Sequence, residues 1–376
     1  MNTKNTLGKS IALYVCSAVM AVFTGSCTGD DELIPIKPRV ALSVTDTSLE
    51  IPIGEQLEFV SGNLDQLVYE EEWILNDSLV ASGNRYVFEA VISGKHTLVY
   101  RAFNDGGEVT RKFEITVPLN IRPVTGDSNR YVTELFEYRP APGQFMNKSP
   151  GNFESAEGIL GKTGMVTLGA WGGSIVLGFD HTVINREGEP DILFANNAMS
   201  NFSEPGIIYV MADENGNGLP DDTWYEIKGS AHDMEGATRD YEVTYYRPGD
   251  PAQSVPWTDN RGNSGEVAVN AFHQQPYYPE WIEEDSYTLK GTLLPSVNID
   301  MSNPSYITSA PFDYGYADNI QGGDEIDISD AMDENGDKVS LEGIDFIRVQ
   351  TGIQANMGWL GELSTEILGV SDLNMP

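Results

Sequence analysis

Short runs of alternating apolar and polar residues recur along the chain, and no long segment has the helical period of 3.6. Glycine, asparagine, aspartate and proline separate the runs, as in antiparallel strands joined by tight turns. In the first third of the chain, the pattern predicts strands at 40–44, 56–60, 71–75, 85–90, 96–103 and 112–117.

The same pattern resumes after a linker at 119–129 and continues to the end of the chain. It predicts strands at 131–138, 174–179, 191–195, 206–211, 223–228, 241–246, 287–293, 324–328, 345–351 and 366–368. Between them, it predicts a proline-rich loop at 248–258 and an irregular, ring-rich stretch at 259–287. The sequence therefore predicts an all-β protein with two domains: a small sandwich at 38–118 and a larger antiparallel, jelly-roll-like sandwich at 130–376.

The first domain contains Trp73-Ile-Leu-Asn-Asp77 and, later, a strand that alternates His96, Leu98, Tyr100 and Ala102 before Asn-Asp-Gly-Gly. This pattern resembles an Ig-like module of the PKD type, which implies a spacer or docking role. In such a module, Trp73 and Tyr100 are core residues.

The formal net charge of the 376-residue chain is −35. A field of this sign repels polyanions, which argues against nucleic acid and anionic membrane surfaces as partners. It is compatible with cations, neutral polar ligands or a cationic partner, and with simple solubility.

Residues 1–26 have the form of a signal peptide: Lys4 and Lys9 precede an apolar segment at 11–23 that is too short to span a bilayer. The following Phe-Thr-Gly-Ser-Cys27 resembles the lipobox of Bacteroidetes lipoproteins, and the acidic cluster at 30–32 resembles their surface-export signal. These resemblances imply a lipid on Cys27, a tether at 27–37 and an outer-membrane, cell-surface location. With Cys16 removed, the chain would contain no disulfide.

The acidic loop at 213–222 follows a predicted strand and has the oxygen spacing of a calcium site. Trp224 occupies the place where an EF-hand has its bidentate glutamate, so this loop is not an EF-hand and Asp222 or Glu226 would have to complete the shell. The alternative is a solvated Asn-Gly turn. The predicted ligands of a structural calcium ion are Asp213, Asn215, Asn217, the Leu219 carbonyl, Asp221 and Asp222. A second Asp-Glu-Asn-Gly tetrad, at 333–336, predicts a hairpin turn.

Two loop-rich stretches place aromatic rings beside amides and carboxylates, a composition typical of surfaces that recognise bulky neutral ligands. The rings of Tyr277, Tyr278 and Trp281 are expected to be exposed, whereas Trp171, Trp224 and Trp359 are expected to be buried. The strands at 171–229 would form the structural frame beneath this ring-rich surface. The candidate ligand-binding residues are Trp257, Asn260, Arg261, His273, Gln274, Tyr277, Tyr278, Trp281, Tyr314 and Tyr316.

No residue is assigned a catalytic role. His181, His232 and His273 do not have the spacing of zinc ligands, and the chain contains neither a phosphate-binding glycine motif nor Gly-x-Ser-x-Gly. Carboxylates are too numerous for a glycosidase pair to be identified by spacing. We therefore expect a binding protein, with a hydrolase as the third hypothesis.

Several longer motifs, taken together, resemble a family of Bacteroidetes surface lipoproteins, the BtuH-type cobalamin-binding lipoproteins. The motifs are LGAWGGSIVLGFD at 168–180, EPGIIYVMADENGNGLPDDTWYEIKGS at 204–230, PWTDNRGNSG at 256–265, FDYGYADN at 312–319, IDFIRVQTG at 344–352 and GWLGELSTEI at 358–367. The resemblance implies capture of a corrinoid and its transfer to a TonB-dependent transporter, without a redox cofactor. A glycan-binding surface protein is the alternative.

Overall fold

The computed structural model describes residues 35–375, and the regular secondary structure of this part of the chain is almost entirely β-strand, which confirms the predicted all-β class. The signal peptide at 1–26, Cys27 and the tether up to residue 34 lie outside the described residues. Among residues 35–375, no helix is long and apolar enough to cross a membrane.

Eight strands form the N-terminal sandwich. They are β1 (Val40–Leu42), β2 (Ser48–Glu50), β3 (Gln56–Asn63), β4 (Glu70–Leu75), β5 (Ser78–Ser82), β6 (Arg85–Glu89), β7 (Gly94–Asn104) and β8 (Gly107–Val117). One sheet has the order β1-β3-β6 and the other β2-β8-β7-β4-β5. Strands β2 and β5 were not predicted, because each is short and mostly exposed and so has little apolar alternation.

The core of this sandwich is centred on Trp73 and Tyr100, which lie opposite each other on β4 and β7. Both are fully buried, and their ring centroids are 4.7 Å apart. The predicted core role of both residues is confirmed. The predicted Asn76-Asp77 turn joins β4 to β5, with both residues at positive φ, as a tight hairpin requires.

Seventeen further strands and one helical turn follow. They are β9 (Glu134–Arg139), α1 (Phe153–Glu157), β10 (Val166–Thr167), β11 (Ser174–Ile184), β12 (Ile192–Ala195), β13 (Gly206–Met211), β14 (Tyr225–Ile227), β15 (Thr238–Tyr246), β16 (Val255–Asp259), β17 (Ser264–Val267), β18 (Ser286–Leu293), β19 (Ile299–Asp300), β20 (Thr308–Ser309), β21 (Asp324–Ile326), β22 (Ala331–Met332), β23 (Gly343–Thr351), β24 (Glu366–Ile367) and β25 (Gly369–Asp372). Two 3-10 turns lie at Ile328–Asp330 and Gly358–Leu360.

A six-stranded sheet, β22-β14-β13-β23-β11-β9, is the centre of this second part. Alternate residues such as Leu177, Ile208 and Ile347 point to one face and form the main core together with residues of β12, β21 and β25. The opposite face is therefore free to carry polar side chains.

A four-stranded sheet, β17-β16-β15-β18, has its own aromatic core around Trp171, Tyr245 and Tyr287. Its hairpin β16–β17 lies where the sequence predicted loop. The turn is closed by Gly262 at φ 85° and by Asp259, which accepts hydrogen bonds from the N–H groups of Arg261 and Asn263. A turn held by such side-chain-to-backbone hydrogen bonds produces no alternation of apolar residues in the sequence, so the hairpin was not predicted.

The linker between the two parts is attached to the central sheet. Arg122 exchanges backbone and side-chain hydrogen bonds with Thr182, and its guanidinium donates to Asp345 Oδ1 over 2.9 and 3.0 Å. Asp345 is fully buried and also accepts from the N–H of Asp213, at the start of the acidic loop. The Ser93 N–H in turn donates to the Glu214 carbonyl, so the acidic loop contacts the N-terminal sandwich.

Candidate functional site

A groove of about 810 Å³ lies on the polar face of the central sheet. Its floor comes from β9, β11, β13, β14 and β23, and its walls from β15, β18 and the 333–335 turn. A volume of this size is typical of ligand-binding sites. We take this groove as the candidate functional site.

A row of directly paired residues crosses the floor. Glu226, Tyr209, Arg348, Val176 and Glu137 follow one another on β14, β13, β23, β11 and β9. Because paired residues on one face have Cβ atoms about 5 Å apart, the row places acid, ring and base side by side.

Gln350 fixes the floor beside this row. Its amide Nε2 donates to the carbonyls of Gly172 and Lys290, and its Oε1 accepts from the Tyr209 hydroxyl. Gly291 is required here, because a Cβ at this position would lie 1.9 Å from Gln350 Oε1. The Tyr209 hydroxyl is thus held by a buried side chain, and burial followed by the charge of Glu226 raises its pKa.

Glu226 links the floor to the wall. One of its oxygens accepts from Thr292 Oγ1 on β18 at 2.8 Å, and the other lies 2.7 Å from His232 Nε2. On the same wall, Lys290 pairs with Asp240 at 3.2 Å. These contacts fix the position of the wall relative to the floor, and the space of the groove between them stays open.

The groove carries both signs of charge, with five carboxylates and four basic side chains among its lining residues. Arg139, Arg239, Lys290 and Arg348 all line it. The Arg348 guanidinium lies 5.2 Å from the centre of the Tyr209 ring, and its buried Nε donates no hydrogen bond within the described residues. The half-buried ring of Trp224 lines the same groove. The groove therefore offers guanidinium donors, hydroxyls and aromatic surface together.

None of the ten predicted ligand-binding residues lines this groove. Tyr277 and Tyr278 are buried, with exposures of 0 and 3%, so their expected exposure is wrong, and Tyr316, a candidate ligand contact, is buried as well. Each hydroxyl is engaged by the chain itself: the Tyr277 and Tyr278 hydroxyls donate to the carbonyls of His273 and Glu284, and the Tyr316 hydroxyl accepts from the Ala231 N–H.

Trp281 is half-buried and stacks on Tyr138, with centroids 5.9 Å apart, so its exposure was also overestimated. Among the rings expected to be buried, Trp171 is fully buried, Trp224 is half-buried, and Trp359 is 48% exposed, which corrects the prediction for Trp359.

The remaining predicted contacts are distributed over the surface and are not gathered in one place. Asn260 and Arg261 are exposed at the β16–β17 turn, and Trp257 lies half-buried on β16. His273 is half-buried against the Phe145 ring, and burial lowers its pKa. Gln274 and Tyr314 are exposed in separate loops. Ligand binding by these residues stays a prediction.

The stretch 171–229 was predicted to be a frame beneath the site, yet Ser174, Tyr209, Trp224 and Glu226 from this stretch line the groove. The predicted hairpin turn at 333–337 is confirmed, with the Asp333 N–H donating to the Asp337 carbonyl, and it forms the rim. The sequence contained one signal for the groove: polar residues alternate with the core residues on β9 and β23.

The acidic loop at 213–222 brings its predicted ligands together. Asp213 accepts from the N–H groups of Asn217 and Gly218, and Asp222 Oδ2 accepts from those of Glu214 and Asn215. Asp221 accepts from the amides of Asn215 and Asn217. These carboxylate oxygens thus accept hydrogen bonds from the loop itself, and calcium in this loop stays a prediction.

No protein-family model matches the chain, and no curated protein matches it significantly. Several solved structures show a distant likeness. A quinonprotein alcohol dehydrogenase-like protein from Bacteroides thetaiotaomicron is 14% identical over 61% of this chain and 49% of its own, with a TM-score of 0.23. This chain thus spans about half of that protein.

Fibronectin(III)-like modules of Clostridium thermocellum CbhA are 12% identical over 61% of this chain and 94% of theirs, with a TM-score of 0.20. A SusE-like protein is 8% identical over 89% of this chain and 95% of its own, with a TM-score of 0.19. At these scores, the likeness carries no information about ligand or activity.

Proposed function

We propose that this chain is a surface lipoprotein that binds a bulky polar ligand in the groove of the central sheet, with a corrinoid as the ligand. The observation that carries the proposal is the groove itself, about 810 Å³ with Arg348, Tyr209 and Trp224 among its lining residues. A corrin is broad and rimmed by carboxamides, and cobalamin also carries a phosphodiester. Arginine guanidiniums donate to both groups, while the rings provide apolar contact area.

The choice of a corrinoid comes from the resemblance to BtuH-type lipoproteins. The same resemblance supports transfer of the ligand to a TonB-dependent transporter, for a chain anchored through Cys27. This transfer requires that the groove remain accessible while the lipid holds the protein at the outer membrane.

A glycan is the second candidate. Trp224 could stack on a sugar ring, and the exposed Thr288 could place its hydroxyl against the sugar.

The test is calorimetric titration of the chain from Thr28 onward with cyanocobalamin. We expect saturable binding with one ligand per chain, and weaker binding in Arg348→Ala. Absence of binding at micromolar concentration would overturn the corrinoid proposal, and a glycan array would then test the second candidate. If groove variants bind the corrinoid as tightly as the parent chain, the corrinoid is the ligand but the groove is not its binding site.

A further inference from the structure

Away from the groove, three carboxyl groups converge from distant parts of the chain. One oxygen from each of Glu204, Asp318 and Glu366 lies within 4.8 Å of the other two. All three belong to motifs noted in the sequence, at 204–230, 312–319 and 358–367, and none of the three lines the groove.

Backbone hydrogen bonds hold the three segments in place. The Glu204 N–H donates to the Asp318 carbonyl, and the Glu366 N–H donates to Asp318 Oδ2 over 2.8 Å. The Ser364 N–H donates to Glu204 Oε1, and Thr365 Oγ1 donates to the Glu204 carbonyl. The carboxyl groups are therefore positioned by the fold.

The environment is costly for three negative charges. Asp318 and Glu366 are only 1% and 5% exposed, and no ion pair among residues 35–375 involves any of the three. Burial, and then the charge of Glu366, raises the pKa of both Glu204 and Asp318. Such a cluster needs either bound protons or a cation.

One observation favours a cation. Asp318 Oδ1 is completely buried and accepts no hydrogen bond within the described residues. The other oxygen of Asp318 is occupied by the Glu366 N–H, and Glu366 Oε1 accepts from the hydroxyls of Thr167 and Ser364. A buried carboxylate oxygen without a partner is rare in proteins, and a bound ion would satisfy it.

A cavity of about 130 Å³ adjoins the cluster and is lined by Glu204, Glu366, Ser364, Phe145 and Phe202 among others. A cation held by the three carboxyl groups could complete its coordination with water or a ligand oxygen from this side. Calcium binds oxygens at about 2.3–2.6 Å, so two of its ligands lie at most about 5 Å apart, and three oxygens within 4.8 Å of one another can reach one ion.

We propose that Glu204, Asp318 and Glu366 bind a divalent cation, calcium by its ligand class, whose open coordination positions face this cavity. All the side chains are hard oxygen donors, which excludes a preference for softer metals. The site would connect the segment before β13, the loop before β21 and strand β24.

The test must separate this site from the predicted calcium loop. In the chain carrying Asp221→Asn and Asp222→Asn, which disables the loop, we expect one calcium per chain by calorimetry and by metal analysis after desalting. Adding Glu204→Gln or Glu366→Gln should lower the affinity by at least about tenfold and remove the effect of EDTA on the melting temperature.

Absence of calcium from the loop-disabled chain would overturn the proposal. So would unchanged binding in the glutamine variants, checked for folding by circular dichroism. If protons occupy the cluster instead, Glu204→Gln should melt at a higher temperature than the parent and neither should respond to calcium. That result would also overturn it.

Should the loop-disabled chain fail to fold, the parent and its Glu366→Gln variant are compared directly, with two calcium ions expected in the parent and one in the variant.

Discussion

Tyr209 and Arg348 lie directly opposite each other on β13 and β23, with the guanidinium 5.2 Å from the ring centre. The attraction between the cation and the ring holds the guanidinium at the floor of the groove, where its donors are available to a ligand.

Replacing Arg348 with alanine should therefore weaken ligand binding by about tenfold or more, with little change in melting temperature, in a cyanocobalamin titration. Arg261→Ala is the matched control. That guanidinium lies at the same 5.2 Å from the ring of Tyr241, but outside the groove. A loss of binding in Arg261→Ala alone would instead support the site predicted from the sequence.

Gly291→Ala should disturb the groove from beneath. The new methyl group would collide with Gln350, which holds the Tyr209 hydroxyl. We expect a loss of about 1–3 kcal/mol in the free energy of unfolding, measured with urea, and weaker ligand binding. Gly249→Ala is the control, because a Cβ added there would meet nothing within 4 Å and the φ of Gly249 is ordinary. Equal effects of the two substitutions would show that Gln350 does not fix the floor.

The buried carboxyl of Glu362 predicts a pH dependence of stability. Burial raises its pKa from 4.5 to about 8, and one oxygen accepts only from the Gln144 N–H while the other has no partner within the described residues. Between these pH values, the folded chain keeps a proton that the unfolded chain releases. The free energy of unfolding should therefore fall as the pH rises from about 4.5 to about 8, by up to about 1.4 kcal/mol per pH unit.

Urea unfolding across this pH range, in EDTA, measures that slope. Glu362→Gln should reduce the slope, whereas Glu280→Gln, at an exposed position, should leave it unchanged. Part of the slope should persist below pH 6, because burial also raises the pKa of Asp324 to about 6. A slope that is identical in parent and Glu362→Gln would contradict the assignment.

Calcium binding in the 213–222 loop can be tested by local proteolysis. Glu214 and Glu334 occupy the same Asp-Glu-Asn-Gly tetrad, but only the first is followed by further ligands. We expect calcium to slow cleavage after Glu214 by a glutamate-specific protease, measured by mass spectrometry, and to leave cleavage after Glu334 unchanged. Equal protection at both sites, or none at Glu214, would reject calcium in this loop.

The alternation of residues such as Leu98 and Tyr100, or Ile208 and Val210, made most strands predictable, because one face of each meets a core. The positions of Tyr277 and Tyr278 were not predictable in this way. Both rings are buried because their hydroxyls donate to backbone carbonyls in a loop without hydrophobic periodicity, and because they pack in the core of a second sheet. The groove was missed for a related reason: Glu137, Tyr209 and Arg348 become neighbours only through the order β13-β23-β11-β9, which no local pattern encodes.

The attachment of the linker has a consequence for recognition by a partner protein. Arg122 binds Asp345, and Asp345 belongs to the same strand, β23, that carries Arg348. This ion pair ties the linker to the central sheet and so limits how far the two parts can turn relative to each other before any partner is met. A second protein that docks on this chain would find the groove in a preset orientation, and the entropy cost of association would be correspondingly smaller.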